Sequence, residues 1–288
     1  MGRMDGKVAL VTGAARGQGR AIAVRLAEEG ADIIAIDCPE KGTIPYPLGS
    51  PEDLQQTVKE VEALDRQILA HEGDIRQQKS LDNLVAEGMQ RFGRIDAAVA
   101  NAGVWTVHPF ADIPEDEFRD VLDVNVLGVW RTLKAVTPHM QEAGGGSVVV
   151  TASGNGVEGS PAYVHYVASK HAALGLAKSA ALAFGPYDIR VNSLLPGPTD
   201  TKALDWQGGY DLCAGRGVGQ GTKEDLQGAK NWTVLQNVGL LPPRAMAEAV
   251  LWLASDESRW VTGLELLVDG GHSIIPGLNF AKMAADLQ

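Results

Sequence analysis

The 288-residue chain has little cysteine, no basic cluster and no long apolar run, and each shortage removes a class of function. Its two cysteines, Cys38 and Cys213, form neither a CxxC pair nor a disulfide framework. That pattern fits a reducing compartment and gives no support to a metal site. No apolar stretch approaches the roughly 20 residues that a membrane-spanning helix needs. The opening Met1-Gly2-Arg3-Met4-Asp5-Gly6 leads straight toward an apolar strand without a signal-peptide core. Gly6 also stands where a myristoylation motif requires Ser or Thr, so the expectation is a soluble cytoplasmic protein with no membrane partner. The 25 Lys and Arg face 36 Asp and Glu, a net charge of −11. Such a surface repels polyphosphate, which argues against nucleic acid as a partner. Internal repeats and low-complexity tracts are absent as well.

What is present is an ordinary globular composition, 45% hydrophobic and 21% charged. The length suits one α/β domain over residues 1–288. Short β-rich runs at 7–11, 32–36, 67–71, 97–101, 147–151, 190–195 and 264–268 alternate with helical stretches. Most of these runs are continuously apolar, as strands buried on both faces are. The predicted fold class is α/β, a doubly wound parallel sheet of about seven strands with helices on both faces.

Two segments interrupt the regular spacing. Residues 38–50 carry Pro39, Gly42, Pro45, Pro47 and Gly49 before Ser50-Pro51-Glu52-Asp53, which reads as an N-cap, a proline at N1 and an acidic first turn. Leu54, Val58 and Val61 give the following helix a buried stripe, so 38–50 reads as a surface insertion. Residues 198–241 are glycine-rich and weakly periodic, with Trp206, Tyr210 and Trp232. They follow a strand's carboxyl end, where loops of doubly wound sheets meet ligands.

Thr12-Gly13-Ala14-Ala15-Arg16-Gly17-Gln18-Gly19 joins the first strand to a helix. Glycines at 13, 17 and 19 let the backbone turn tightly and approach a pyrophosphate at the positive end of the helix dipole. Alone, such an octet is an ordinary turn about half the time. Asp37, at the end of the second strand, is placed to accept hydrogen bonds from an adenosine ribose diol, as in Rossmann-type sheets that bind NAD. A 2′-phosphate there would bring about −1.5 to −2 charges against the carboxylate. Arg16 points weakly toward such a phosphate, and Asp37 outweighs it. Asp74-Ile75 after the third strand and Asn101-Ala102-Gly103 after the fourth fit the same bound NAD, although either is by itself an ordinary turn.

Tyr166 and Lys170 are i and i+4 on one helical face, and Ser153 ends the preceding strand. Carbonyl–alcohol interconversion by hydride transfer needs a positioned acid or base. A free phenol titrates near 10, about three units above neutral. An ammonium ~4 Å away, in an effective dielectric near 20, supplies about the 4 kcal/mol required. Ser153 is expected to hold the substrate oxygen. Tyr163 lacks this partner, because four residues on it meets Val167. Without context the pentapeptide is about three times more often an amphipathic helix than a site.

With these motifs in order, the chain resembles the short-chain dehydrogenase/reductase family over nearly its whole length. The resemblance implies that Ser153, Tyr166 and Lys170 are joined by a fourth catalytic residue, Asn125, which holds a water relaying protons to Lys170. It implies further that Lys170 binds the nicotinamide ribose, and that Pro196, Gly197, Thr199 and Thr201 contact the cofactor's carboxamide end. Arg16 and Gln18 are expected in the cofactor turn with Gly13, Gly17 and Gly19. Val268-Asp269-Gly270-Gly271 looks like the family's closing motif, and Ala100 replaces the usual first asparagine of Asn-Asn-Ala-Gly. The insertion, with Tyr46-Pro47-Leu48, resembles the mycofactocin-associated carveol dehydrogenase-like group, nicotinoproteins in which it covers a tightly held NAD. Two departures stand against this: Ala21-Ile22 where that group has a histidine, and the general form Pro196-Gly197-Pro198-Thr199.

Trp105, Trp206, Tyr210 and Trp232 are expected around the reactive end, pointing to an apolar secondary alcohol or ketone of terpenoid type, with at least one of them expected simply to pack the loops. The alternatives are a 3-oxoacyl or steroid-type ketone reductase of the same family, or a non-catalytic NAD-binding sensor. Small residues along 166–185 allow close helix packing. The family resemblance implies a homotetramer, with 274–288 as an extra contact.

Overall fold

A computed structural model describes residues 2–40, 42–236 and 238–275 of the chain. Seven parallel strands form one sheet: β1 (Val8–Thr12), β2 (Asp32–Asp37), β3 (Ile68–Glu72), β4 (Ala97–Ala100), β5 (Gly146–Thr151), β6 (Ile189–Pro196) and β7 (Glu265–Val268), in the order β3-β2-β1-β4-β5-β6-β7. The seven expected runs all became strands within one or two residues of their predicted ends. The reason is visible in β1, where Ala9 and Val11 enter one core while Val8 and Leu10 enter the other. Alternate side chains leave opposite faces, so a strand covered on both sides must be apolar at every position.

One face is covered by α1 (Gly17–Glu28), α2 (Pro51–Glu62) and α8 (Pro243–Ala254). The other is covered by α3 (Gln78–Phe92), α5 (Val129–Glu142) and α6 (Val164–Phe184). The chain reverses its direction of travel between β1 and β4, and a crevice opens where their carboxyl ends diverge. Gly13 and Asn101, the residues that follow those two strands, therefore face each other across it.

Ahead of α5, α4 (Glu115–Leu122) continues through a π-helical turn, Asp123–Gly128, which carries Asn125. The segment 198–241 is more ordered than its composition predicts: it holds α7 (Gln207–Ala214) and a 3-10 segment, Lys223–Trp232. The expected contact by residues 274–288 lies, beyond Ile275, outside the described residues.

The insertion at 38–50 departs from the surface loop expected. Ile44 and Tyr46 are only 3% and 2% exposed and form a small core with Val104 and Val121. The signal was legible in retrospect, because Ile44, Tyr46 and Leu48 alternate with prolines in the period of an extended segment covered on one side. Its ends are fixed. Thr43 donates through N–H and Oγ1 to Asp120 at 3.0 and 2.7 Å, and Ser50 and Asp53 form a reciprocal cap at the start of α2.

Candidate active site

The crevice is a cavity of about 390 Å³ that runs from Asp74 and Arg76 at one end to Tyr166 and Trp232 at the other. At its floor the glycine turn is so tight that side chains do not fit. Gly13 has φ +68°, and a Cβ there would sit 2.9 Å from the Ala102 Cα. A Cβ on Gly19 would fall 1.9 Å from the Gly13 carbonyl oxygen. The Thr201 methyl lies 3.2 Å from the Cβ position of Gly17, which joins the loop after β6 to this turn. Gln18 lines the cavity beside them with a buried Oε1 that has no partner. A backbone cradle at the start of α1, with no Cβ in the way, fits a pyrophosphate.

Asn101 holds this floor together, its side-chain amide donating to the Thr12 carbonyl at 3.0 Å. The Thr12 hydroxyl accepts from the N–H groups of Asn101 and Ala102, each at 3.0 Å. Ala102 and Gly103 line the cavity beyond. At the adenine end Asp37 accepts from the N–H groups of Ala15 and Cys38 at 2.7 and 2.8 Å. Burial pushes its pKa up, and those two donors pull it back. Asp74 lines the cavity too, but Arg76 binds both its oxygens, each at 2.8 Å. Ile75 beside it is 6% exposed, and its Cδ1 reaches within 2.5 Å of where a Gly128 Cβ would be.

At the other end Ser153, Tyr166 and Lys170 meet around one wall. β5 delivers Ser153, whose hydroxyl accepts from the Asn155 N–H at 3.2 Å. α6 delivers Tyr166 and Lys170 on one face. The pairing differs from the sequence expectation: the Lys170 ammonium lies 5.5 Å from the Tyr166 ring centroid and donates to the Thr151 carbonyl at 2.9 Å. Burial pushes Tyr166 up to about 12, with Ser153 pulling the other way. Burial also lowers Lys170 to about 8. At about 8 the Lys170 ammonium still carries most of its charge at neutral pH, and the Ser153 hydroxyl is the neighbour that pulls the phenol down.

Asn125 is fully buried, and its bonds are unlike those of a surface polar residue. Its amide donates to the Val104 carbonyl at 2.8 Å and to Ser169 Oγ at 3.0 Å, while Oδ1 accepts from the Val104 N–H at 2.9 Å. Ser169 Oγ in turn donates to the Tyr166 carbonyl at 2.7 Å. The π-helical turn re-aims one side chain inward, and that side chain ties the loop after β4 to α6.

The aromatic residues divide. Trp105 lines the cavity, its ring 6.5 Å from Tyr166 and 6.0 Å from Tyr163. Trp206 stands behind it, 5.5 Å from Trp105 and 5.2 Å from Tyr46. Both indole N–H groups donate to the Ala203 carbonyl at 2.9 Å, leaving the Trp105 face without a free donor. Tyr210 lies elsewhere, its hydroxyl donating to Asp205 at 2.5 Å. Trp206 is the extended N-cap residue ahead of α7, whereas Tyr210 lies within the helix, so the two do not share a helix face. Tyr163, set aside as a base for lack of a lysine, is part of the wall. Tyr46 was missed: its hydroxyl accepts from the Trp105 N–H at 3.2 Å and so joins the insertion to the substrate end.

At the β6 end Pro196, Gly197 and Thr199 line the cavity, with Thr199 Oγ1 donating to the Gly197 carbonyl at 2.9 Å. A Cβ on Gly197 would meet the Asp269 Cα at 2.6 Å, so the closing motif after β7 packs directly on this turn.

Residues 7–207 match the model of the short chain dehydrogenase family. The chain is 40% identical over 278 residues to (−)-trans-carveol dehydrogenase of Rhodococcus erythropolis, covering 95% of this chain and 100% of that one. The structure of carveol dehydrogenase from Mycobacterium avium in complex with NAD superposes with a TM-score of 0.91 at 41% identity, covering 95% and 100% of the two chains. A short chain dehydrogenase from Mycobacterium paratuberculosis bound to NAD gives 0.85 at 44% identity, with the same coverage.

Proposed function

The chain belongs to the short-chain dehydrogenase family, and from that premise we propose that it is an NAD-dependent oxidoreductase that converts an apolar secondary alcohol of terpenoid type into its ketone. One observation carries the reading: a single cavity joins the glycine cradle and Asp37 to Ser153, Tyr166 and a carbon-faced aromatic wall. When bound, NAD supplies the hydride acceptor. Gly13, Gly17 and Gly19 hold its pyrophosphate at the start of α1, and Asp37 accepts from its adenosine ribose. Lys170 holds the nicotinamide ribose, and Pro196, Gly197, Thr199 and Thr201 border the carboxamide.

Ser153 Oγ donates to the substrate oxygen and fixes it beside the Tyr166 hydroxyl. Tyr166 takes the hydroxyl proton in oxidation and returns it in reduction. Trp105, with both neighbouring indole N–H groups already satisfied, offers the rest of the substrate only carbon, which favours a hydrocarbon body over a polyol. Asn125 keeps this geometry in place through Val104 and Ser169. The names of the carveol dehydrogenases support a monoterpenol as the alcohol. The buried insertion supports a cofactor that is held tightly.

The chain is further proposed to act in the cytoplasm as a homotetramer. The unpaired Cys38 and Cys213, and the absence among the described residues of a helix long and apolar enough to cross a membrane, agree with that location. Leu182 and Trp260, 82% and 87% exposed, offer apolar surface for assembly. The catalytic reading is tested by following NADH formation with carveol, cyclohexanol, sorbitol and a 3-hydroxyacyl thioester. Turnover of the cyclic alcohols supports it. Turnover of only the polyol or the thioester overturns the substrate class.

A further inference from the structure

Resting on the NAD reading, we propose that the insertion is a second determinant of cofactor choice, and that Pro47 and Gly49 exclude a 2′-phosphate even when Asp37 is gone. The Arg16 guanidinium, the cation of the glycine turn that a 2′-phosphate would need, donates to the Pro47 carbonyl. The backbone of Gly49 lies against the acidic end of the site. A Cβ at that position would be 3.0 Å from Asp37 Oδ1 and 2.6 Å from the Ala15 Cβ. Two more anchors keep this stretch from swinging away. Tyr46 is buried under Trp206, and the Ser50 and Asp53 cap begins α2 immediately afterwards.

α2 is itself bolted to the glycine turn. The Thr57 hydroxyl donates to the Ala14 carbonyl at 2.9 Å, and Arg20 donates to the Asp53 carbonyl at 2.7 Å. Asp53 itself is paired with Arg20 at 3.6 Å and Lys202 at 3.8 Å, so these nearby cations are already engaged with a carboxylate. Removing the Asp37 carboxylate therefore leaves the backbone of 47–49, an Arg16 held at Pro47 and an Arg20 held by Asp53 all in place. The obstructing backbone and an arginine tethered at Pro47 together act against the dianion, which is discrimination built by obstruction as much as by attraction.

The test measures NADH and NADPH dissociation constants by nicotinamide fluorescence, on protein stripped of any nucleotide that copurifies and with no substrate present. The chain as it stands is expected to prefer NADH by about 100-fold or more. The pair Asp37→Ser with Cys38→Arg removes the carboxylate and supplies a new arginine beside the ribose. This pair is expected to keep NADPH weaker than NADH by about tenfold or more. Replacing residues 44–49 by a short Gly-Ser linker in the same pair is expected to bring the two to parity, with NADH binding itself as the control for folding. NADPH binding at parity in the pair alone overturns the proposal. So does NADPH remaining weak once the insertion has been replaced. Failure of the unaltered chain to bind NADH would instead strike the functional reading, which keeps the two distinguishable.

Discussion

At Tyr166 and Lys170 burial works against the charges that the chemistry requires. The phenol is pushed up to about 12, so at neutral pH it is ready to give a proton and must be driven to accept one. Alcohol oxidation is therefore expected to rise with pH and to reach its optimum at more alkaline pH than ketone reduction, measured as separate pH–rate profiles on one alcohol–ketone pair. Tyr166→Phe is expected to lower turnover by at least about 10²–10⁴-fold in both directions while leaving NADH binding intact. Loss of binding to the same degree would mean that the side chain is structural. For Lys170 the sign is opposite to that of a lysine gaining an acidic partner. Its folded pKa of about 8 lies below the ordinary lysine value of 10.5, so the folded state binds fewer protons than the unfolded one between those values. The lysine's contribution to stability therefore grows as pH rises through that window and is lost as pH falls through about 8. Denaturant unfolding at pH 7.5 and pH 10 is expected to show the stability difference between the unaltered chain and Lys170→Met shifting toward the unaltered chain at the higher pH.

At the scale of elements, the π-helical turn and the insertion decide the shape of the substrate end. Asn125→Ala would leave the Val104 N–H and C=O buried without partners, at about 1–3 kcal/mol each. A fall in melting temperature of several degrees is expected, together with reduced turnover, because the loop carrying Trp105 and the α6 backbone beneath Tyr166 lose their tie. Calorimetry beside a rate measurement checks both halves. In the insertion, Tyr46→Phe removes only the bond from the Trp105 N–H and is expected to cost about 1 kcal/mol. Tyr46→Ala empties a fully buried site, a loss of about 3–5 kcal/mol for a large aromatic, and should speed NADH release in stopped-flow displacement. Equal release rates in the two variants would mean that the insertion does not cover the cofactor.

At the scale of the whole molecule, the sheet needs both faces covered and leaves other apolar surface uncovered. Leu182, on α6, and Trp260 are almost fully exposed, and Trp130, on α5, is about half exposed at 46%. Multi-angle light scattering is expected to return four times the chain mass, and Leu182→Glu together with Trp260→Glu to return a smaller species with the described fold intact by circular dichroism. A monomer in the unaltered chain would remove the tetramer from the functional reading.

The order of the chemistry along the chain was legible from sequence alone. A buried parallel strand must be continuously apolar, a pyrophosphate cradle must lack Cβ atoms, and i and i+4 must share a helix face, so β1, Gly13 and the Tyr166–Lys170 pair could each be read locally. Everything that depends on what lies opposite was decided by tertiary structure. Asn125 was named only through the family resemblance, because nothing local marks a π-helical turn or the Val104 backbone it binds. Tyr210 read as a ligand contact, yet Asp205 holds it away from the cavity. The insertion looked like surface because proline and glycine dominate it, and only the proximity of Trp105 and Trp206 makes Tyr46 a core residue. The titration of Lys170 is likewise a property of the burial around it. Sequence fixes spacing along one element, whereas burial and partnership are set by the elements that meet it.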